Sequence, residues 1–248
     1  MIELKNASQL ELMRNAGRIV AETLRLVREH AKPGVTTLEL DRIAEKFICS
    51  QGAVPAFKGY NGFPATLCTS VNEQVVHGIP SLRVLNSGDI ISIDCGALKE
   101  GYFGDSAVTL LIGEGDEEIQ RLLRVTEESL MMGILQAKVG NRLFDVSHAV
   151  QKHVEANKFS IVRDYVGHGI GRAMHEDPQI PNFGKPGRGP RLEVGMALAI
   201  EPMVNMGTHE VMTLKDRWTV VTNDNRPSAH FEHTVAITEN GPEILTRC

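Results

Sequence analysis

The chain has four cysteines in 248 residues and no C-x-x-C pair. Cys49, Cys68, Cys95 and Cys248 are scattered, so no disulfide framework is indicated. Free thiols in a reducing cytoplasm are the expectation. There is no basic run and no basic tail, and the net charge is −5. That argues against nucleic acid as the main ligand, because phosphate binding needs clustered lysine and arginine. No stretch approaches the roughly 18 apolar residues of a membrane-spanning helix. The opening "MIELKNASQLELMRNAG" is charged throughout and lacks the apolar region of a signal peptide. Neither nucleic-acid nor membrane binding is expected.

What remains is an ordinary globular composition, 42% hydrophobic and 23% charged, long enough for one large domain or two small ones. Residues 8–31 read as an amphipathic helix, with "SQLE" at Ser8–Glu11 as its capping box and "KPG" as its stop. "TTLE" at Thr36–Glu39 opens a second helix that runs to about Gly52. A third helix is expected from near Asp116 to Ala137, and a fourth over about 142–157. The chain then aligns with itself. "AKPGVTTLELDRIAEK" from Ala31 matches "AKVGNRLFDVSHAVQK" from Ala137, an offset of 106. "LNSGDIISID" from Leu85 matches "LEVGMALAIE" from Leu192, an offset of 107. Two alignments at nearly one spacing indicate internal duplication. The expected architecture is α+β: a single catalytic domain over 1–248, built of two pseudo-symmetric halves, roughly 1–112 and 113–248. A mixed, mostly antiparallel sheet carries helices on its outer face. A site is expected where the halves meet.

The duplication draws attention to "DCGALKEGYFGD", Asp94–Asp105, which lies between two apolar strands. "LKEG" is hairpin chemistry. A fold about Lys99–Glu100 makes facing positions sum to about 199 and sets Asp94 opposite Asp105. Directly opposed residues have Cβ atoms about 4.5–5.5 Å apart, where two carboxylates repel. Either the register is off by one and one acid is a turn residue, or a cation sits between them. The second alignment places Glu201, in "GMALAIEPMV", on Asp94. Glu232, in "AHFEHTVAIT", plays the part of Asp105. Buried carboxylates are strongly disfavoured unless paired, and these strands carry no nearby lysine or arginine. Four negative charges would balance two divalent cations, and His168 in "VGHGIG" would complete the set. Oxygen-rich ligation with one imidazole suits Mn, Fe, Co or Zn. Asp105 and Glu232 would bridge two metals about 3.5–4 Å apart, a hydrolytic geometry.

Those five residues in this order, with "IDCGALKEGYFGD", "VGHGIGRAMHE", "IEPM" and "FEHTVAIT", resemble the methionine aminopeptidases of the pita-bread fold. The resemblance covers essentially the whole chain. It implies that Asp94, Asp105, His168, Glu201 and Glu232 hold two metal ions (Co, Mn, Fe or Zn). It also implies that a metal-activated hydroxide attacks the amide after an initiator methionine when the second residue is small. By the same resemblance Glu201 shuttles the proton, His175 binds the scissile carbonyl and stabilises the oxyanion, and His77 contacts the scissile amide or leaving nitrogen. Tyr60, Phe63, Cys68 and Trp218 match the family's pocket positions, and the "TVVTNDNRP" after Trp218 reads as a loop reaching the site. The lack of a helical insertion between Glu201 and Glu232 resembles the type I enzymes. The lack of a zinc-finger extension ahead of residue 1 resembles the bacterial form. Partners would be N-terminal methionine of peptides and nascent chains, on a cytoplasmic monomer. Transient ribosome association stays open, since no basic arm is visible. Three residues depart from many relatives: Phe57 and Met174 stand where a cysteine and an aromatic are frequent, and Gly96 where a threonine is frequent. The rival readings are an Xaa-Pro peptidase of the same fold, whose members usually carry an additional N-terminal domain, and an inactive binding protein that kept the fold.

Overall fold

The computed structural model describes residues 2–247. Four helices are α1 (Ala7–His30), α2 (Thr37–Ser50), α3 (Glu117–Gln136) and α4 (Leu143–Ala156). The first-half strands are β1 (Val54–Pro55), β2 (Leu67–Val71), β3 (Gln74–Val76), β4 (Ile90–Lys99) and β5 (Tyr102–Leu111). The second half adds β6 (Ser160–Ile161), β7 (Gly167–Gly169), β8 (Glu176–Ile180), β9 (Ala197–Ile200) and β10 (Met203–Asn205). It closes with β11 (Val211–Thr213), β12 (Val220–Thr222), β13 (Ser228–His230), β14 (Glu232–Thr238) and β15 (Gly241–Ile244). The main sheet runs β1-β4-β5-β14-β9-β7-β8, with β2 also on β4 and β15 also on β14. Every strand pairing among the described residues is antiparallel. This is the antiparallel, helix-backed sheet of the pita-bread fold. Among the described residues, no helix is long and apolar enough to cross a membrane.

Local chemistry explains most boundaries. Thr36 caps α2 as its sequence predicts: its hydroxyl accepts from the Glu39 N–H while the Glu39 carboxylate accepts from the Thr36 N–H. Helix α1 begins earlier than "SQLE" suggests. Asn6, in extended conformation, is the cap, and it trades hydrogen bonds with Gln9. Ser8 lies inside the first turn and donates to the Asn6 side chain. Asp116 caps α3 at the Ile119 N–H. Thr36 bridges to Val84 and Arg142 to Arg191, so the starts of α2 and α4 are pinned at corresponding places to the segments that lead into β4 and β9. Buried faces of α1 and α2 (Val20, Leu24, Leu40, Ile48) pack on Leu67, Ile91 and Ile93. Leu130, Ile134 and Val146 of α3 and α4 pack on Leu198, Ile200 and Val235. Each such side chain contributes about 1.5–3 kcal/mol on leaving water. Helix α1 meets β5 backbone to backbone: a Cβ on Gly104 would stand 2.8 Å from the Gly17 nitrogen.

The β4–β5 hairpin corrects the expected register. Its turn is Glu100–Gly101, both left-handed (φ 51° and 80°), and Lys99 pairs with Tyr102. A two-residue turn with both φ positive matches the twist of antiparallel strands, and glycine accepts that conformation freely. Moving the turn by one residue moves the pairing by two. Asp94 therefore faces Ala107 and Asp105 faces Gly96. The two acids are diagonal neighbours, not directly opposed. A shift of two keeps the face, so both still point the same way.

Candidate metal centre and cleft

Five adjacent strands of the main sheet deliver the five sequence-predicted residues to one place. Asp94 comes from β4, Asp105 from β5, His168 from β7 and Glu232 from the start of β14, while Glu201 directly follows β9. Ala107 pairs with Asp94 on one side and Glu232 on the other, so the two carboxylates flank a residue too small to separate them. By the His233–Ile200 pairing, Glu201 is level with Glu232. Ligand atoms of Asp105, His168 and Glu232 lie within 4.8 Å of one another. His168 Nε2 is 3.8 Å from an Asp105 oxygen and 3.5 Å from a Glu201 oxygen.

The electrostatics are those of a cation site. One oxygen each of Asp94, Asp105 and Glu232 is buried without a hydrogen-bond partner. Among the described residues, no lysine or arginine pairs with any of the four acids. Burial pushes the Asp94 carboxyl up to about 7. Burial and the neighbouring carboxylates hold Asp105, Glu201 and Glu232 well above the usual carboxylate range. His168 Nδ1–H donates to the Gly169 carbonyl at 2.9 Å, which leaves Nε2 with its lone pair facing the acids. Burial, then His175, pushes its pKa down to about 4, so the imidazole is neutral. Acids that resist ionising together, orphaned oxygens and a neutral imidazole all fit divalent cations, which would satisfy each of them at once.

Two cavities open from this cluster. One, of about 230 Å³, is walled by Phe57, Tyr60, Phe63, Cys68, Met174 and Trp218. Phe63 and Trp218 meet edge to face at 5.1 Å. The other, of about 120 Å³, is bounded by His77, Tyr165, Val166, Met203 and His230. Asp94, His77, His168, His175 and Glu201 border both. His77 sits at φ 59°, edge-on to Tyr165 and Trp218, and burial lowers its pKa to about 4. His175 lies 4.3 Å ring to ring from His168, and its Nδ1 is 2.8 Å from the Tyr60 hydroxyl. Burial also lowers the His175 pKa.

Other expectations change in detail. The segment after Trp218 is not a loop at first: Thr219 is buried and Val220–Thr222 form β12 on β3 and β11. Pairing of that strand fixes the tryptophan at the cavity. Phe57, Gly96 and Met174 form one packed unit. A Cβ on Gly96 would stand 2.7 Å from Phe57 Cε1 and 3.2 Å from Met174 Cε. Cys49, Cys68 and Cys95 are free, while Cys248 lies outside the described residues. Burial, then the Asp94 charge, keeps the Cys68 thiol protonated. Sequence reasoning missed His230, which is 2% exposed, has Nε2 without a hydrogen bond, and stands 3.8 Å from Glu201. The signal was present: His230 precedes Glu232 by two residues in "SAHFEHT", the strand period that puts both on one face.

The model of metallopeptidase family M24 matches residues 11–239. A methionine aminopeptidase of Clostridium acetobutylicum is 59% identical over 249 residues, covering 100% of both chains. The crystal structure of a methionine aminopeptidase from Thermotoga maritima is 50% identical, superposes with a TM-score of 0.99 and covers 100% of both chains. A prolidase from Pyrococcus furiosus is 22% identical with a TM-score of 0.77, and the match covers 99% of this chain and 65% of that one. The last likeness is one of fold.

Proposed function

Since the chain belongs to metallopeptidase family M24, we propose that it removes the N-terminal methionine from peptides and nascent chains whose second residue is small. The observation that carries the reading is the convergence of four carboxylates, Asp105 and Glu232 buried and Asp94 and Glu201 half-buried, and the His168 Nε2, without a cationic side chain, beside an aromatic-walled cavity. Asp94, Asp105, His168, Glu201 and Glu232 would hold two divalent ions (Co, Mn, Fe or Zn). Ions bound there would polarise the scissile carbonyl and supply a water that ionises near neutral pH.

The chain's own residues do the rest. The cavity of about 230 Å³, with its aromatic walls, Cys68 and Met174, takes the methionine side chain. The chamber of about 120 Å³ beyond His77 takes the second residue, and its size favours a small one. Glu201 is a base in contact with both cavities; it accepts the proton of the attacking water and passes it to the leaving nitrogen. His175 donates to the developing oxyanion. His77 faces the leaving nitrogen as a neutral imidazole.

One chain contains all five ligands and both cavities, which supports a monomeric catalytic domain over 1–248. The offsets of 106 and 107 residues between the bridges Thr36–Val84 and Arg142–Arg191 support two similar halves. Free cysteines support a cytoplasmic setting, and the net charge of −5 supports no more than transient contact with ribosomes. The test is a peptide panel with metal-loaded protein. Met-Ala-Ser should release methionine, Met-Leu-Ser should be slow and Ala-Pro-Ala inert. Equal rates on Met-Ala-Ser and Met-Leu-Ser would remove the size filter, and cleavage of Ala-Pro-Ala instead would favour the Xaa-Pro reading. Asp105→Ala and Glu232→Ala should each lower both metal content and activity.

A further inference from the structure

Lys5 is buried, although it lies in the extended segment ahead of α1: its side chain is 2% exposed. Both ends of the residue are fixed. Its backbone N–H donates to the Gly195 carbonyl at 2.7 Å. Its Nζ donates to Glu176 Oε2 at 2.5 Å and to the Glu3 carbonyl at 3.1 Å. The other Glu176 oxygen accepts from the Ala173 N–H at 3.1 Å. The Glu176 carboxylate therefore closes the turn 173–176, and His175 is inside that turn.

The surroundings are shaped to this contact. A Cβ on Gly171 would stand 2.4 Å from Lys5 Cε and 2.8 Å from Glu176 Oε1. A Cβ on Gly195 would stand 2.6 Å from the Lys5 carbonyl oxygen. Glycine at both positions lets the N-terminal segment pass against the β7–β8 connection. Other contacts also hold that connection: Ile170 N–H to the Ala197 carbonyl, Gly171 N–H to the Ala173 carbonyl, Phe103 N–H to the Gly171 carbonyl, Arg172 over the Tyr102 ring, and the Tyr60 hydroxyl on His175 Nδ1. Of these, the Tyr60 bond touches the His175 ring, while Glu176 fixes the backbone that carries it. A buried ion pair adds little net stability, because desolvation offsets most of its attraction. What it does fix is geometry, since breaking it strands a charge.

We propose that Lys5 is a positioning residue for His175. Through Glu176 it holds the 173–176 turn so that the His175 ring faces the scissile carbonyl. The proposal rests on the reading of His175 as oxyanion donor, and it makes the N-terminal segment part of the active-site scaffold.

The test is a mutant cycle on metal-loaded enzyme with Met-Ala-Ser, joined to imidazole ¹⁵N NMR. Lys5→Met should lower kcat by about ten- to a hundredfold, the scale of a misplaced catalytic group. Metal content should stay at the wild-type value, and Lys5→Arg should restore most of the rate. In a His175→Ala background, Lys5→Met should change kcat by less than about twofold, because residues acting through one another are not additive. The His175 ring signals should move in Lys5→Met while those of His153, half-buried on α4 against Glu128 of α3, stay in place. Equal losses in both backgrounds, or wild-type kcat with unmoved His175 signals, would overturn the proposal. If Lys5→Met fails to fold, Glu176→Gln carries the same cycle, because it removes the charge and keeps the shape. If His175→Ala alone proves harmless, the oxyanion reading falls, and the His175 signals then decide the positioning claim by themselves.

Discussion

The Tyr60 hydroxyl stands 2.8 Å from Nδ1 of His175. When the phenol O–H donates its hydrogen bond to the Nδ1 lone pair, the ring's own proton is on Nε2. That tautomer presents an N–H to the cleft, which is what an oxyanion donor requires. Tyr60→Phe keeps the apolar ring and loses only the donor. A net hydrogen-bond contribution of about 0.5–1.5 kcal/mol corresponds to a loss of about two- to tenfold in kcat. KM should hardly move, since the ring still walls the cavity. A raised KM with unchanged kcat would reduce Tyr60 to a pocket wall.

His175 itself should matter more. Removing one oxyanion donor typically costs about 10²–10³ in kcat. His175→Ala should lose rate on that scale, keep its metal content and leave KM little changed, because the contact forms mainly in the transition state. Loss of a metal ion would move His175 into ligation.

The acids and histidines set opposite pH dependences in the metal-free chain. Asp94, Asp105, Glu201 and Glu232 all have raised folded-state pKa values, with Asp94 at about 7. They hold protons that the unfolded chain releases at about pH 4, so they remove stability as pH rises through the folded values. His77, His168 and His230 are pushed down by burial to about 4, about 4 and about 3. Folding is therefore disfavoured by their protonation only below the unfolded histidine value of about 6.5. Above that pH the acids act alone. Thermal unfolding of chelator-treated protein should show Tm falling as pH rises from about 6.5 through about 7, where Asp94 ionises, and saturating Mn or Co should remove the fall. A Tm that is flat or rising over that range without metal would contradict the assignment of the acid cluster.

The Phe57–Gly96–Met174 unit makes a prediction about exchange of residues. Gly96→Thr alone forces a Cβ to within 2.7 Å of Phe57. Overpacking of this kind costs about 1–3 kcal/mol and should also disturb the adjoining cavity. Phe57→Cys in the same chain should recover most of the lost Tm, because it vacates the space. Equal losses in the single and double variants would show that the clash relaxes elsewhere.

The helices were largely readable from the sequence because caps and amphipathic periodicity are local. Thr36–Glu39 and Asp116 mark their helices where the structure has them, whereas Asn6 and Ser8 are equally able to cap and only the fold selects Asn6. The hairpin register is ambiguous in the sequence because Lys99–Glu100 and Glu100–Gly101 are both acceptable turn centres. Only the paired left-handed conformation of Glu100 and Gly101 decides between them. The ambiguity does no harm to the site, since a shift of two preserves the face. The buried acids were visible as charges inside apolar runs. The Tyr60–His175 bond and the Lys5–Glu176 pair are not legible there, because they join segments whose approach is set by the packed sheet. Lys5 and Glu176 are 171 residues apart, and nothing local to either one marks it as buried.

The central claim is that the cluster of Asp94, Asp105, His168, Glu201 and Glu232 holds the metal on which methionine release depends. Titrating metal into chelator-treated protein, while following methionine released from Met-Ala-Ser, tests it most directly. Activity should be absent at the start, rise with added Mn or Co and saturate as the bound metal reaches no more than two ions per chain. The same titration on Asp105→Ala should restore neither binding nor activity. Undiminished methionine release after complete removal of metal, or full activity and metal binding in Asp105→Ala, would contradict the account.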